Sequence, residues 1–308
     1  MEKRKLGSSN LEVSLVGLGT NNFGGRMDVE AARPVIHKAI DLGITHFDTA
    51  DIYGNSGGSE TIIGEVLGPR RKEVTLATKF GKPMAGSTEQ HRGSRGYIIS
   101  AVEASLKRLK TDWIDLLWMH EPDPTTPIEE TMHTLDGLIK AGKVRHVGSS
   151  NYLGAQLDQA VIVAKKRGYE GFVAAQDELS LTERKIEKTL IPSLKRNGIS
   201  LVPYFPLGGG ALTGKYRKGQ ALPEGSRHAS ADNRFLGPNW DKIEALHDFA
   251  DKRGHTLLEL AMSWLACQPI VASIIAGATR VEQLDLNAKS VNWKLTDEEM
   301  AEIDKITA

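Results

Sequence analysis

The chain has 308 residues, 40% hydrophobic and 25% charged, which excludes a disordered polypeptide and provides for a substantial core. Lys and Arg together number 39, as do Asp and Glu, so no bulk charge draws the protein to nucleic acid or to an anionic membrane. The single cysteine, Cys267, excludes an internal disulfide framework and a multi-cysteine zinc site, and its flanks in "SWLACQPIV" make it a small core residue.

The first segment, "MEKRKLGSSNLEVSLVG", lacks the apolar stretch of a signal peptide, and no apolar run in the chain reaches the ~18 residues of a membrane span. A cytoplasmic protein is expected. Two short alternating runs around Gly7-Ser8-Ser9-Asn10 read as a β-hairpin that could plug one end of a barrel. Strands are predicted near 14–18, 45–48, 74–79, 114–119, 144–149, 172–176, 200–204 and 271–276. Helices are predicted near 29–42, 59–67, 96–109, 128–141, 153–167, 184–197, 241–268 and 281–288. Gly43, Gly142, Gly168 and Gly198 each stand where a helix ends in a left-handed residue before the next strand. The similar stretch around Gly254 leads into "HTLLELAMSWLACQ", which keeps the helical period, so two adjacent helices are expected there. Eight strand-helix alternations predict an α/β fold, a closed parallel (β/α)₈ TIM barrel forming one domain over residues 1–308. Residues 205–240, after the seventh strand, are rich in Gly, Pro and Ser and lack a period; a loop that long is a candidate lid.

In such a barrel the chemistry gathers at the C-terminal ends of the strands. "ITHFD" ends at Asp48 with Tyr53 in the loop beyond it, "VTLATK" ends at Lys79, and "IDLLWMH" ends at His120. Each has an ordinary reading as a cap, a loop aromatic or a turn residue. At three consecutive strand ends they would share one pocket, and burying such groups without a use is costly. A lysine ammonium beside a phenol favours the phenolate and lowers the phenol's pKa, so Lys79 would activate Tyr53. Asp48 would keep the buried lysine charged, and His120 would orient a substrate oxygen. This set polarises a carbonyl and hands it a proton. It holds no hydride, so a cofactor is expected. Arg280, with the Thr279 hydroxyl at the start of a predicted helix, suits a phosphate.

These residues and the motifs "GLGTNNFGG", "GITHFDTADIYG", "ATKFG", "LLWMHEPDP", "AGKVRHVGSSN", "PLGGGALTGKY" and "IAGATRVEQLDLN" closely resemble the aldo-keto reductases over nearly the whole chain. The resemblance implies NADPH-dependent reduction of a small-molecule aldehyde or ketone by the tetrad Asp48, Tyr53, Lys79 and His120, with Tyr53 as general acid. It also implies a cofactor site. Ser150, Asn151 and Gln176 would hold the nicotinamide carboxamide, with Thr20 and Asn21 nearby, and Tyr204 would stack on the ring. Leu207 and Gly209 would follow the pyrophosphate, and Gly277, Thr279, Arg280, Gln283 and Asn287 the adenosine and its 2′-phosphate. Some proteins similar to this family serve instead as channel subunits that bind NADPH as a regulatory ligand, which is the alternative reading.

Three departures from the family pattern bear on the site: "QDELS" brings Asp177 and Leu179, "YFPL" brings Phe205, and Ile275-Ala276-Gly277 stands where "IPG" is common. Candidate pocket walls are Asn22, Phe23, Phe80, Trp118, Arg234, Phe235 and Trp240, with core packing an equal alternative for Trp118. A Rossmann fingerprint is excluded because Gly17-Leu18-Gly19 lacks the third glycine and runs into a loop. Gly209 to Lys215 fits a P-loop spacing, but Tyr216 stands where the metal-binding hydroxyl must be. A lyase using Lys79 as Schiff-base nucleophile would leave Tyr53 and the phosphate-like motif without a role.

Overall fold

The first strands, β1 (Lys3–Lys5) and β2 (Glu12–Ser14), pair antiparallel with Lys3 opposite Ser14. They belong to a computed structural model that describes residues 1–221 and 239–308. The hairpin turns through Gly7 at φ +53°, where a Cβ would fall 2.4 Å from the Val173 carbonyl oxygen, so no other residue fits. Arg234, Phe235 and the middle of the expected lid lie outside the described residues.

Eight parallel strands follow: β3 (Val16–Gly19), β4 (His46–Asp48), β5 (Thr75–Phe80), β6 (Ile114–Met119), β7 (Val144–Ser150), β8 (Phe172–Gln176), β9 (Ser200–Leu201) and β10 (Ile274–Gly277). They run in the order β10-β3-β4-β5-β6-β7-β8-β9. Bridges from Leu201 to Val271 and from Tyr204 to Ile275 join the two ends of that order into a barrel. The seventh barrel strand is shorter than its sequence suggests. Pro203 has no N–H to give the ladder, so regular pairing stops at Leu201 and resumes only at Tyr204.

Alternation along the strands sorts side chains into two cores. Ala77, Leu116, Trp118, Ala174, Val202, Ala272 and Ile275 pack inside the barrel with Leu6 and Val13 of the hairpin, which therefore plugs its N-terminal end. Leu76, Phe80, Leu117 and Met119 point outward to the helices. Trp118 is accommodated because its neighbour in register is Gly148, where a Cβ would lie 2.3 Å from the indole ring.

The helical layer comprises α1 (Val29–Asp41), α2 (Tyr53–Leu67), α3 (Arg95–Leu109), α4 (Ile128–Lys140), α5 (Gly154–Arg167), α6 (Ile186–Thr189), α7 (Ile191–Asn197), α8 (Trp240–Asp251), α9 (Leu257–Ala266), α10 (Val281–Lys289) and α11 (Asp297–Thr307). The single helix expected over 184–197 is two, because Pro192 is harmless in the first turn of α7 but cannot continue α6. The two helices expected around Gly254 are α8 and α9, and a capping box of Thr256 and Glu259 starts the second. Helix α11 is absent from the periodicity reading, although Thr296 and Glu299 form a capping box that marks its start. No described helix is long and apolar enough to cross a membrane.

Candidate active site

Asp48 ends β4 and Lys79 is the last residue but one of the neighbouring β5; both point into the barrel mouth, where they are almost fully buried. Lys79 Nζ lies 2.5 Å from Asp48 Oδ2 and donates to the Thr49 carbonyl at 2.8 Å. Gln176, at the end of β8, donates from Nε2 to Asp48 Oδ1 at 2.8 Å. Lys79 also lies against Tyr53, with Nζ 5.0 Å from the centre of its ring. Burial works against the ammonium charge, but the Asp48 carboxylate and Tyr53 more than offset it. The Lys79 pKa therefore lies above the ordinary lysine value.

His120 follows β6, its ring centre 6.0 Å from that of Tyr53 and nearly perpendicular to it. Burial first, and then the positive charges of Lys79 and Lys82, push its pKa down to about 2, so the imidazole is neutral throughout the physiological range. A neutral ring can orient an oxygen by hydrogen bonding. It is no proton source at pH 7. Its backbone is fixed from both sides: the His120 N–H donates to Phe80 O at 2.8 Å, and Asn151 Nδ2 donates to His120 O at 2.8 Å. Asn151, at φ +60°, also accepts from the Tyr204 hydroxyl at 2.8 Å, so one strained residue links the strand ends of β6 and β7 to Tyr204.

Tyr53 stands at the start of a tight left-handed passage, with Gly54, Asn55, Ser56 and Gly57 at φ between 59° and 112°. At Gly54 a Cβ would lie 2.4 Å from Phe23 O, and at Gly57 it would strike the Arg108 side chain. Beneath this passage Asp51 and Glu60 are fully buried. Glu60 is held by Thr78 Oγ1 at 2.5 Å and Arg108 Nε at 2.6 Å. Burial, then the Glu60 charge, raise the Asp51 pKa to about 7 against the opposing pull of Arg108.

A cleft of about 1010 Å³ opens over these residues, with Asp48, Tyr53 and His120 on its wall and Lys79 beneath the surface. The positions expected for a cofactor all reach it. Thr20, Asn21, Ser150, Asn151, Gln176 and Tyr204 lie toward the tetrad; Leu207, Gly209, Gly277, Thr279, Arg280, Gln283 and Asn287 complete the lining. Thr20 is also structural, since its hydroxyl donates to Asp48 O at 2.9 Å. Gly209 and Gly210 adopt left-handed φ in the 3₁₀ turn 208–213, which explains the glycine run after Leu207. Arg280 caps α10, and Gln283 accepts from the Thr279 and Arg280 amides at 2.7 and 3.2 Å.

The expected substrate walls are distributed differently. Asn22 lines the cleft, but Phe23, Phe80 and Trp118 are at most 1% exposed and pack into the cores. For Trp118 this favours packing, because its indole lies in the room left beside Gly148 and packs in one cluster with Leu6 and Val13 of the plug. Trp240 opens α8 and packs near Tyr216, with ring centres 6.1 Å apart. Sequence reasoning did not pick out Arg26, Lys82 or Lys215, which also line the cleft. For Lys215 the signal in the sequence is a cation directly after the glycine-rich turn 208–213 and Gly214.

A model of the Aldo/keto reductase family matches residues 15–308, and the chain belongs to that family. It is 36% identical to a probable voltage-gated potassium channel subunit beta of Arabidopsis thaliana, covering 95% of this chain and 92% of that one. It is 33% identical to an L-glyceraldehyde 3-phosphate reductase of Escherichia coli O157:H7, covering 99% and 92% respectively. An uncharacterized oxidoreductase of Bacillus subtilis is 36% identical over 97% of this chain and 93% of its own length.

Proposed function

We propose that the protein reduces aldehydes or ketones to alcohols with NADPH, with Tyr53 as the general acid. The observation that carries this reading is the continuous contact from Asp48 through Lys79 to Tyr53 at the wall of a cleft that also exposes Arg280. The donor set fits a dinucleotide phosphate: amide-bearing side chains beside the tetrad, glycine-rich backbone in the middle, and a guanidinium at a helix start. When bound, NADPH supplies the hydride. Tyr53 donates its proton to the carbonyl oxygen, and Lys79 stabilises the phenolate that remains. Asp48 keeps Lys79 protonated in a buried site, while neutral His120 positions the carbonyl oxygen.

The test is NADPH oxidation with a simple aromatic aldehyde by the parent and by Tyr53→Phe, alongside the Kd of each for NADPH and NADH. Turnover in the parent, a loss of about 10²- to 10⁴-fold in the variant, and unchanged NADPH binding are expected. Comparable rates in both proteins would remove Tyr53 from its role, and equal affinity for NADH would remove the 2′-phosphate assignment at Arg280.

A second reading, an NADPH-binding regulatory subunit with slow or no turnover, is favoured by the similarity to the Arabidopsis channel subunit beta. Tight NADPH binding without turnover of any aldehyde would select it.

A further inference from the structure

At the opposite end of the barrel from the cleft, a cavity of about 250 Å³ opens between the 3₁₀ turn 68–73 and the starts of β5, β6 and β7. Arg71, Lys72, Val74, Trp113, Asp115 and Arg145 line it, and none of them lines the cleft. Strand rise of ~3.3 Å per residue places Asp115 about 17 Å from His120. Asp115 is the fixed point of this cavity. Its carboxylate is 4% exposed and takes two donors on each oxygen: Arg71 Nη2 at 2.8 Å and the Leu76 N–H at 3.0 Å on Oδ2, Trp113 Nε1 at 3.0 Å and Arg145 Nη1 at 2.7 Å on Oδ1. The two guanidinium carbons stand 4.6 and 4.8 Å from the centre of the Trp113 ring.

Of the three cations in the lining, only Arg71 is fully engaged. It is almost buried and gives its remaining N–H groups to Thr111 Oγ1, Val74 O and Trp113 O. Arg145 is half-exposed and engages Nη1 alone; among the described residues its Nε and Nη2, like Lys72 Nζ, have no partner. Pinning Nη1 to Asp115 leaves the Nε–Nη2 edge as a side-on fork, the arrangement that grips two oxygens of one oxyanion. The charge of the lining is also unbalanced. Three cations face one carboxylate whose acceptor positions are filled, an excess of two positive charges. Glu73 and Glu103 are paired with Arg70 and Lys143, while Glu12 and Asp112 are exposed and do not line the cavity. Arg71 registers the excess: burial lowers its pKa, Asp115 opposes this, and the Arg145 charge adds to the lowering.

We propose that this cavity binds a phosphate-type dianion, inorganic phosphate or a small phosphomonoester, gripped by the Nε–Nη2 edge of Arg145 and the Lys72 ammonium. A dianion matches the excess charge, whereas a single carboxylate leaves half of it. Because Lys72 belongs to the 3₁₀ turn and Arg145 to β7, an occupant ties the turn to the strand start. The site stands apart from the reductase reading, since no residue of it is shared with the cleft.

The Trp113 indole N–H donates to Asp115 and so reports on the site; it gives one of five tryptophan signals in a heteronuclear NMR spectrum, assigned with Trp113→Phe. The chain is titrated with inorganic phosphate and with glycerol 3-phosphate, chloride holding the ionic strength constant. A saturating shift of the Trp113 signal is expected, weakened about tenfold or more in Arg145→Gln and unchanged in Arg280→Gln, which removes a cation of the cleft. The remaining indole signals report whether Arg145→Gln is folded. Lys72→Gln, at an exposed position that does not touch Asp115, should weaken binding as well and gives an independent reading. The anion that saturates at the lower concentration tells the free ion from the ester. No saturating shift in the parent, or one that persists undiminished in Arg145→Gln and Lys72→Gln, overturns the proposal. A shift abolished by Arg280→Gln overturns it too, because the anion then sits in the cleft.

Discussion

Gln176 holds the Asp48 oxygen that Lys79 leaves: its Nε2 donates to Oδ1 at 2.8 Å while Lys79 sits on Oδ2 at 2.5 Å. A residue expected at the nicotinamide carboxamide is thereby tied across the barrel mouth to the ion pair behind Tyr53. The carboxylate has no spare oxygen, so its loss is felt at both partners.

Replacing Asp48 with Asn keeps the shape and removes the charge. Lys79, 1% exposed, would then face its burial without a counter-ion and lose its proton more readily, so Tyr53 would lose its activating charge. A fall in kcat of about 10²- to 10⁴-fold is expected, with a loss of roughly 3–5 kcal/mol in unfolding free energy from breaking a buried pair. Steady-state kinetics and urea titration read the two effects; a variant within a few-fold of parent kcat refutes the role of Asp48.

The buried acid Asp51 makes the opposite kind of prediction. Its folded pKa is raised to about 7, so its contribution is complete below the ordinary carboxyl value near 4 and is lost as pH rises through about 7. The groups facing it are Glu60, Arg108, Lys79 and Tyr97. Asp51→Asn cannot ionise, so relative to the parent it should gain on the order of 3 kcal/mol between pH 5 and 8. Denaturant midpoints at pH 5 and pH 8 measure this, and parallel curves for the two proteins would show that Asp51 is already ionised in the fold.

His46 lies two residues before Asp48 inside the barrel, with Nδ1 2.9 Å from Ser273 Oγ and Nε2 without a partner among the described residues. Burial lowers its pKa to about 4, so the neutral ring's contribution is complete above about 6.5 and is lost as pH falls toward 4. The shift corresponds to roughly 3 kcal/mol over that window. His46→Gln removes the titration, so the stability difference between parent and variant should shrink by about that amount on going from pH 7 to pH 4. A difference independent of pH would mean that His46 is charged in the fold.

Strand ends were legible because each follows an apolar run and terminates in a residue with distinctive chemistry, as "ITHFD" does at Asp48 and "VTLATK" at Lys79. Helix ends at Gly168 and Gly198 were equally plain, since both adopt the left-handed φ that the sequence pattern requires. What escaped were features set by partners distant in the chain. Nothing local tells Phe23 to turn into the core, and the inward position of Trp118 becomes a packing position only because Gly148 leaves room beside it. The basic lining from Arg26 and Lys82 depends on two loops meeting at the barrel mouth, which no period records. Helix α11 is a different case: Met300, Ile303 and Ile306 form a short apolar stripe and Thr296 with Glu299 a capping box, so its signal stands in the sequence although most of its residues are exposed.

The Trp118–Gly148 pair gives a test of the barrel interior itself. An alanine Cβ at position 148 would lie 2.3 Å from Trp118 Cζ3, 2.4 Å from Cε3 and 2.8 Å from Ala174 O, and neither a rigid ring nor backbone can yield cheaply. Gly148→Ala should therefore cost about 1–3 kcal/mol through overpacking and shift the emission of the buried indole. Trp118→Phe alone leaves a cavity and is also destabilising. Combined with Gly148→Ala it removes the clashing ring atoms, so the double variant should be more stable than the two single losses summed predict, by about 1 kcal/mol or more. Simple additivity in that cycle would show that the indole does not lie against Gly148.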